Sequence, residues 1–152
     1  MDDVTIAPAL SEDLHLASDL RAEMATEMGG AWDKQFPGWR PRFAEYFRAK
    51  QDAGLAQVFF ARSGDRTIGM VIMSVVDDYR NFALHQRRGY VNGVFVVPEF
   101  RRRGIARAMM EIGLQWLRER GCTVARLRSS DDGRHLYTSL GFTPGTEMEF
   151  FF

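Results

Sequence analysis

Apolar and polar positions alternate in two distinct rhythms along the chain. Residues 5–9 read as a short first strand, after which Leu14, Ala17, Leu20, Met24 and Met28 recur on one helical stripe, with Ser11 as the expected N-cap. Gly29-Gly30 stops that helix, and the aromatic, proline-marked stretch 29–40 reads as a loop. Pro41 suits the first turn of a second helix that carries Phe43, Ala44 and Phe47 and ends at Gly54. The rhythm then shortens: 57–62 and 67–76 are β-rich runs joined by Ser63-Gly64-Asp65-Arg66, which predicts an antiparallel hairpin.

Residues 77–88 are polar and unperiodic, as in a surface loop, whereas 90–97 form an apolar run too continuous for a half-exposed strand. This fourth strand belongs mid-sheet; Pro98 ends it, and Asn92-Gly93 marks the expected bulge. From 104 to 120, Ile105, Met109, Ile112, Trp116 and Leu117 predict the clearest helix of the sequence, closed by Gly121. A strand at 124–129 and a short helix at 132–140 follow, and Gly141-Phe142 turns the chain into final strands ending at Phe150, Phe151 and Phe152. Strands and helices so interleaved predict an α/β domain.

With 152 residues and 45% hydrophobic content, the chain forms one domain, 1–152, without staples. Twenty basic and twenty acidic side chains cancel, so no global field favours nucleic acid or an anionic membrane, and any anion site is local. The lone Cys122 excludes an internal disulfide and gives no zinc spacing, which suits a reducing cytoplasm. There is no membrane-length apolar run, Met1-Asp2-Asp3 does not look like a signal peptide, and His15, His85 and His135 are too scattered for a metal site.

Local anion chemistry is expected where the fourth strand, ending at Val97-Pro98, passes through Arg101-Arg102-Arg103-Gly104 into a helix. First-turn amides lack intrahelical partners, Gly104 removes the side chain that would hold a phosphate off the backbone, and Ala106 is small. The turn is neither a Walker loop nor a G-x-G-x-x-G dinucleotide fingerprint, since no Gly-Lys-Ser/Thr follows and one glycine is present. Three successive arginines also suit a solvated face or a nucleic-acid patch.

Arg101-Arg102-Arg103-Gly104-Ile105-Ala106, after an apolar strand and before an amphipathic helix, resembles the coenzyme motif of the GNAT acetyltransferase superfamily. Leu136-Tyr137-Thr138-Ser139-Leu140-Gly141-Phe142 is similar to that family's Leu-Tyr-x-x-x-Gly-Phe segment. The resemblance implies a mixed, mostly antiparallel sheet of about six to seven strands flanked by about four helices and splayed beside the fourth strand. It implies acetyl-CoA as cosubstrate, with the pantetheine arm along Phe95, Val96 and Val97 and the pyrophosphate on the amides of Arg102, Arg103, Gly104, Ile105, Ala106 and Arg107. Where many relatives carry Asn, this chain has Ser130, a shorter-reaching donor, and Gly133 stands at the usual alanine position.

The reaction so implied is direct attack of a neutral amine on a thioester, with Tyr137 as general acid. A phenol, with a pKa of about 10, lies close enough to a thiol for that transfer. Glu27, Asp77, Asp78 and Asn92 are the expected candidates for a base or substrate contact, and Glu99 beside the motif points to solvent. Phe36, Trp39, Phe43 and Phe47 either pack on one another or line a pocket for a small or amphipathic amine. The acceptor is then a small molecule or peptide, and the terminal phenylalanines point to a closing strand or a homodimer contact. A silent acyl-CoA sensor on the same fold, or a nucleic-acid module built on Arg101, Arg102, Arg103 and Arg107, are the competing functions.

Overall fold

A computed structural model describes residues 3–77 and 87–152. Strand β1 (Val4–Pro8) leads through a 3-10 turn (Ser11–Asp13) into α1 (Leu14–Glu27). Two further helices, α2 (Trp32–Gln35) and α3 (Trp39–Asp52), precede β2 (Ala56–Ser63) and β3 (Arg66–Asp77). The hairpin follows its sequence signal, with Ser63 opposite Arg66 and Gly64 at φ 58°. Then come β4 (Arg87–Val96), a 3-10 turn (Pro98–Phe100), α4 (Ile105–Glu119), β5 (Cys122–Leu127) and α5 (Arg134–Ser139).

The sheet has the order β1-β2-β3-β4-β5, antiparallel except for the parallel β4–β5 pair. Five α-helices accompany five strands among the described residues, fewer strands than the six to seven expected. The missing strands are those placed after Gly141: the tail carries no ladder, and Phe150, Phe151 and Phe152 are exposed. Side-chain ion pairs hold it instead, Arg88 and Arg126 to Glu147 and Arg128 to Glu149. Alternation of Arg126 and Arg128 against Glu147 and Glu149 keeps the period of an extended chain without backbone pairing.

Two local expectations are corrected. Ser11 does not cap α1; its hydroxyl donates to Asp52 Oδ1 at 3.4 Å, and α1 begins after a 3-10 turn. The stretch 29–40 is not all loop, because α2 and the start of α3 lie within it. A short helix there brings Trp32 edge-on to Trp39, with ring centroids 5.1 Å apart.

The core joins the sheet to helices on both faces. Met73 of β3 packs against Gly113 of α4, and the fully buried Met109, Met110 and Leu117 complete that layer. On the opposite face, α1 and α3 pack on each other and on the sheet, with Leu14, Ala17, Leu20 and Phe47 in the core.

Candidate functional site

The bulge expected at Asn92-Gly93 is present: Ile72 faces Gly93 while Met73 faces Val91, so Asn92 is the extra residue. An extra residue reverses which face the following side chains point to. Beyond it, Phe95 turns toward α1 and Val96 toward α4. The β4–β5 ladder also ends here. Its last pair is Val91–Leu127, whereas β4 continues beside β3 to Val96. A gap therefore opens along the final turn of β4, as the splay implied.

Backbone polarity at this gap follows from one bond. Val97 N–H donates to Ile68 O at 2.9 Å, so in antiparallel alternation Val97 and Phe95 direct their backbone groups to β3, and Val96 and Val94 direct theirs to the gap. Of the three residues expected along a pantetheine arm, Val96 alone directs its backbone there, and its carbonyl accepts Arg101 Nε at 2.8 Å. Val94 directs its backbone to the gap as well, which sequence reasoning did not foresee; only the phase of the ladder identifies it.

One cleft, of about 520 Å³, lies on the α4 side. Val96, Arg101, Arg102, Gly104, Ile105, Ala106 and Arg107 line it, joined by Phe100 and by Asp132, His135, Leu136 and Ser139 from the α5 region. The floor is a turn of alternating handedness, with Arg102 at φ 61° and Gly104 at φ 77°. A side chain is strained at such a φ, which accounts for glycine at 104, and the space where its Cβ would stand is open. The first α4 bond runs from Ala108 N–H to Gly104 O at 3.0 Å, leaving the amides of Ile105, Ala106 and Arg107 ahead of the ladder. Turns of this kind form concavities of N–H groups that suit an anion.

Not every arginine of the turn serves that cavity. The Arg103 guanidinium lies over the Phe100 ring at 4.9 Å and donates to Glu99 O, while Glu99 pairs with Arg66. Arg107 reaches across to α5, donating to Ser139 Oγ at 2.6 Å. Ser130 accepts the Gly133 N–H at 3.1 Å, so its oxygen is occupied while its proton remains available to donate. Tyr137 packs edge-on against Phe142 and lies over Gly133, where an added Cβ would come within 2.7 Å of the ring. The glycine at the family's alanine position thus makes room for the Tyr137 ring. Burial pushes the Tyr137 phenol upward, which keeps it protonated.

A second cleft, of about 570 Å³, lies on the α1 side, lined by Asp19, Ala22, Glu23, Thr26, Glu27, Arg40, Phe95 and Pro98. Asp19, Glu23 and Glu27 stand four residues apart on one edge of α1, a polar stripe legible in the sequence once the opposite stripe is assigned to the core. Arg40 is tied to Asp19 at 3.0 Å and to Asp33 at 2.7 Å. Glu27 accepts two bonds from Arg101, both at 2.6 Å, and these hold its carboxyl below the usual range. Glu23 has no ion-pair partner among the described residues. Asn92 Oδ1 accepts the Ser74 hydroxyl.

The remaining candidates fall elsewhere. Asp77 pairs with Arg87 at 2.9 Å, and Asp78 and His85 lie outside the described residues. Trp39, Phe43 and Phe47 stack in sequence with centroids 5.8 and 4.9 Å apart, and Phe36 packs on Trp32 at 6.0 Å. Neither cleft is lined by any of the four. Among the described residues no cluster of His, Cys, Asp or Glu forms a metal site, and no helix is long and apolar enough to cross a membrane.

Known proteins are similar to this chain in sequence and in fold. Aminoglycoside N(6')-acetyltransferase type 1 of Salmonella typhimurium is 28% identical over 96 residues, which are 61% of this chain and 66% of that protein, just under two thirds of its length. A predicted acetyltransferase from Clostridium acetobutylicum, solved with acetyl-CoA, superposes with a TM-score of 0.88 at 21% identity, covering 98% of this chain and 96% of that one. The aminoglycoside acetyltransferase AAC(6')-Iy, solved with a bisubstrate analogue of CoA and acetylneamine, gives a TM-score of 0.75 at 21% identity, covering 98% and 97%. The family model described as acetyltransferase (GNAT) matches residues 23–142, a span that takes in the gap in the sheet, the Gly104 turn and the Tyr137 helix. On that match the chain belongs to the GNAT acetyltransferase family.

Proposed function

We propose that the chain is an acetyl-CoA-dependent N-acetyltransferase whose acceptor is a small molecule bearing several amines, of the aminoglycoside kind. The observation that carries this reading is that consecutive residues of one strand, Phe95 and Val96, line two clefts on opposite faces of the sheet beside the gap between β4 and β5. Two substrates entering from opposite faces meet at that gap, as a direct displacement requires.

The α4-side cleft fits the coenzyme. The amides of Gly104, Ile105, Ala106 and Arg107 receive the pyrophosphate, with the open space at Gly104 allowing close approach. Backbone groups of Val94 and the N–H of Val96 pair with the pantetheine amides as a further strand would, while Val96 O stays with Arg101 Nε. Acetyl-CoA supplies an activated acyl group; the protein holds its carbonyl carbon at the gap.

The α1-side cleft suits a cation. Its carboxylates outnumber its arginine, and Glu23, with no ion-pair partner among the described residues, suits an ammonium group. Glu27, held ionised by Arg101, contributes negative potential but is a weak proton acceptor. The proton lost by the attacking amine passes to solvent in this open cleft. Tyr137, kept neutral by burial, donates its phenol proton to the departing sulfur.

Release of CoA thiol from acetyl-CoA, measured against neamine, spermidine, free amino acids and an N-terminal peptide, tests the assignment. Turnover is expected with neamine, and weaker turnover with amines of single charge. Coenzyme binding with no thiol release from any of them points to the silent sensor instead.

A further inference from the structure

We infer that Arg101 is a positioning residue that couples the coenzyme turn to the acceptor cleft through Glu27; this rests on the transferase reading above. Its guanidinium has three attachments. Nε donates to Val96 O at 2.8 Å, Nη1 and Nη2 donate to the two oxygens of Glu27 at 2.6 Å each, and Cζ lies 5.4 Å from the Phe95 ring centroid. Val96 and Arg101 line the α4-side cleft, whereas Phe95 and Glu27 line the other. One side chain therefore touches the strand between the clefts and a wall of each.

A planar fork bound on two edges fixes its own orientation, which a single point charge cannot do. The next residue, Arg102, is already in the left-handed conformation that starts the anion turn. Among the described residues, no other side chain of the turn bonds to α1. Arg103 returns to Glu99 O and Arg107 goes to Ser139 and Glu111. Arg101 is 38% and Glu27 46% exposed, so water screens the pair and its main effect is on geometry. Loss of the Glu27 charge frees Arg101, loosens the turn at its first residue, and weakens the coenzyme from the far side of the sheet. Reciprocity of linkage requires that occupancy of the coenzyme turn be felt equally at Glu27.

Calorimetric titration of acetyl-CoA into the wild type, Glu27→Gln, Arg101→Gln and the double variant tests this, with thermal melts run on each. Glu27→Gln is expected to raise the coenzyme Kd about fivefold or more. The double variant should be no weaker than the worse single one, since both remove the same bond. Glu45→Gln, which breaks the exposed Glu45–Arg48 pair on α3, controls for loss of a surface charge and should leave Kd unchanged. If either glutamine variant fails to fold, Glu27→Asp and Arg101→Lys replace them; each keeps the charge but breaks the fork, and the same rise in Kd is expected. A merely structural pair would lower the melting temperature and leave Kd alone, and that outcome, or additive effects in the double variant, overturns the inference. Failure of the wild type to bind coenzyme would instead strike at the transferase reading itself.

Discussion

At the scale of single residues, Tyr137 carries the sharpest expectation. Its ring is wedged between Gly133 and Phe142, so Phe fits the same space and a change to it removes only the hydroxyl. Tyr137→Phe should lower kcat by about a hundredfold while leaving the coenzyme Kd close to that of the wild type. Because burial raises the phenol, the acid form persists through the neutral range, and its loss appears as an alkaline limb of kcat above the ordinary phenol range. Stopped assays across pH with both proteins check this; an unchanged kcat would remove Tyr137 from the mechanism.

At the scale of elements, α1 divides its labour by face. Leu14, Ala17 and Leu20 enter the core, while Asp19, Glu23 and Glu27 form a wall of the α1-side cleft on another edge. Arg40 and Arg101 engage the outer two carboxylates, leaving Glu23 without an ion-pair partner among the described residues and, on the function proposed above, open to an ammonium group. Glu23→Gln should therefore raise the KM for neamine about tenfold with kcat nearly unchanged, because the lost contact is the same in ground and transition states. Steady-state kinetics with neamine and with an uncharged hydroxylamine acceptor distinguish charge capture from general damage, since the second should respond little. A fall in kcat with KM unchanged would place Glu23 in the chemistry instead of in binding.

Across the protein, the cleft proposed for the coenzyme draws on β4, the Gly104 turn, α4 and the α5 region. A ligand there links segments that the bare fold joins through few bonds, such as Arg107 to Ser139. Acetyl-CoA at a hundred times its Kd should stabilise the protein by about 2.7 kcal/mol. For a chain of this size that raises Tm by roughly 5–10 °C. Differential scanning calorimetry with and without acetyl-CoA measures it, and no shift at saturation would count against the cleft as the coenzyme site.

The features legible in the residues alone were local ones. Gly104, the apolar run before Pro98 and the Asn92-Gly93 bulge were legible because each depends on a backbone preference that acts within a few residues. Ser11 misled because its hydroxyl is taken by Asp52, 41 residues away, and the terminal strands misled because an apolar run signals burial without naming a partner for its backbone. Long-range packing set which backbone groups of β4 face the gap, that Glu27 meets Arg101 across 74 residues, and that α1 supplies a carboxylate wall. Those depend on the phase of a ladder and on how two distant elements dock, and no short-range preference encodes either.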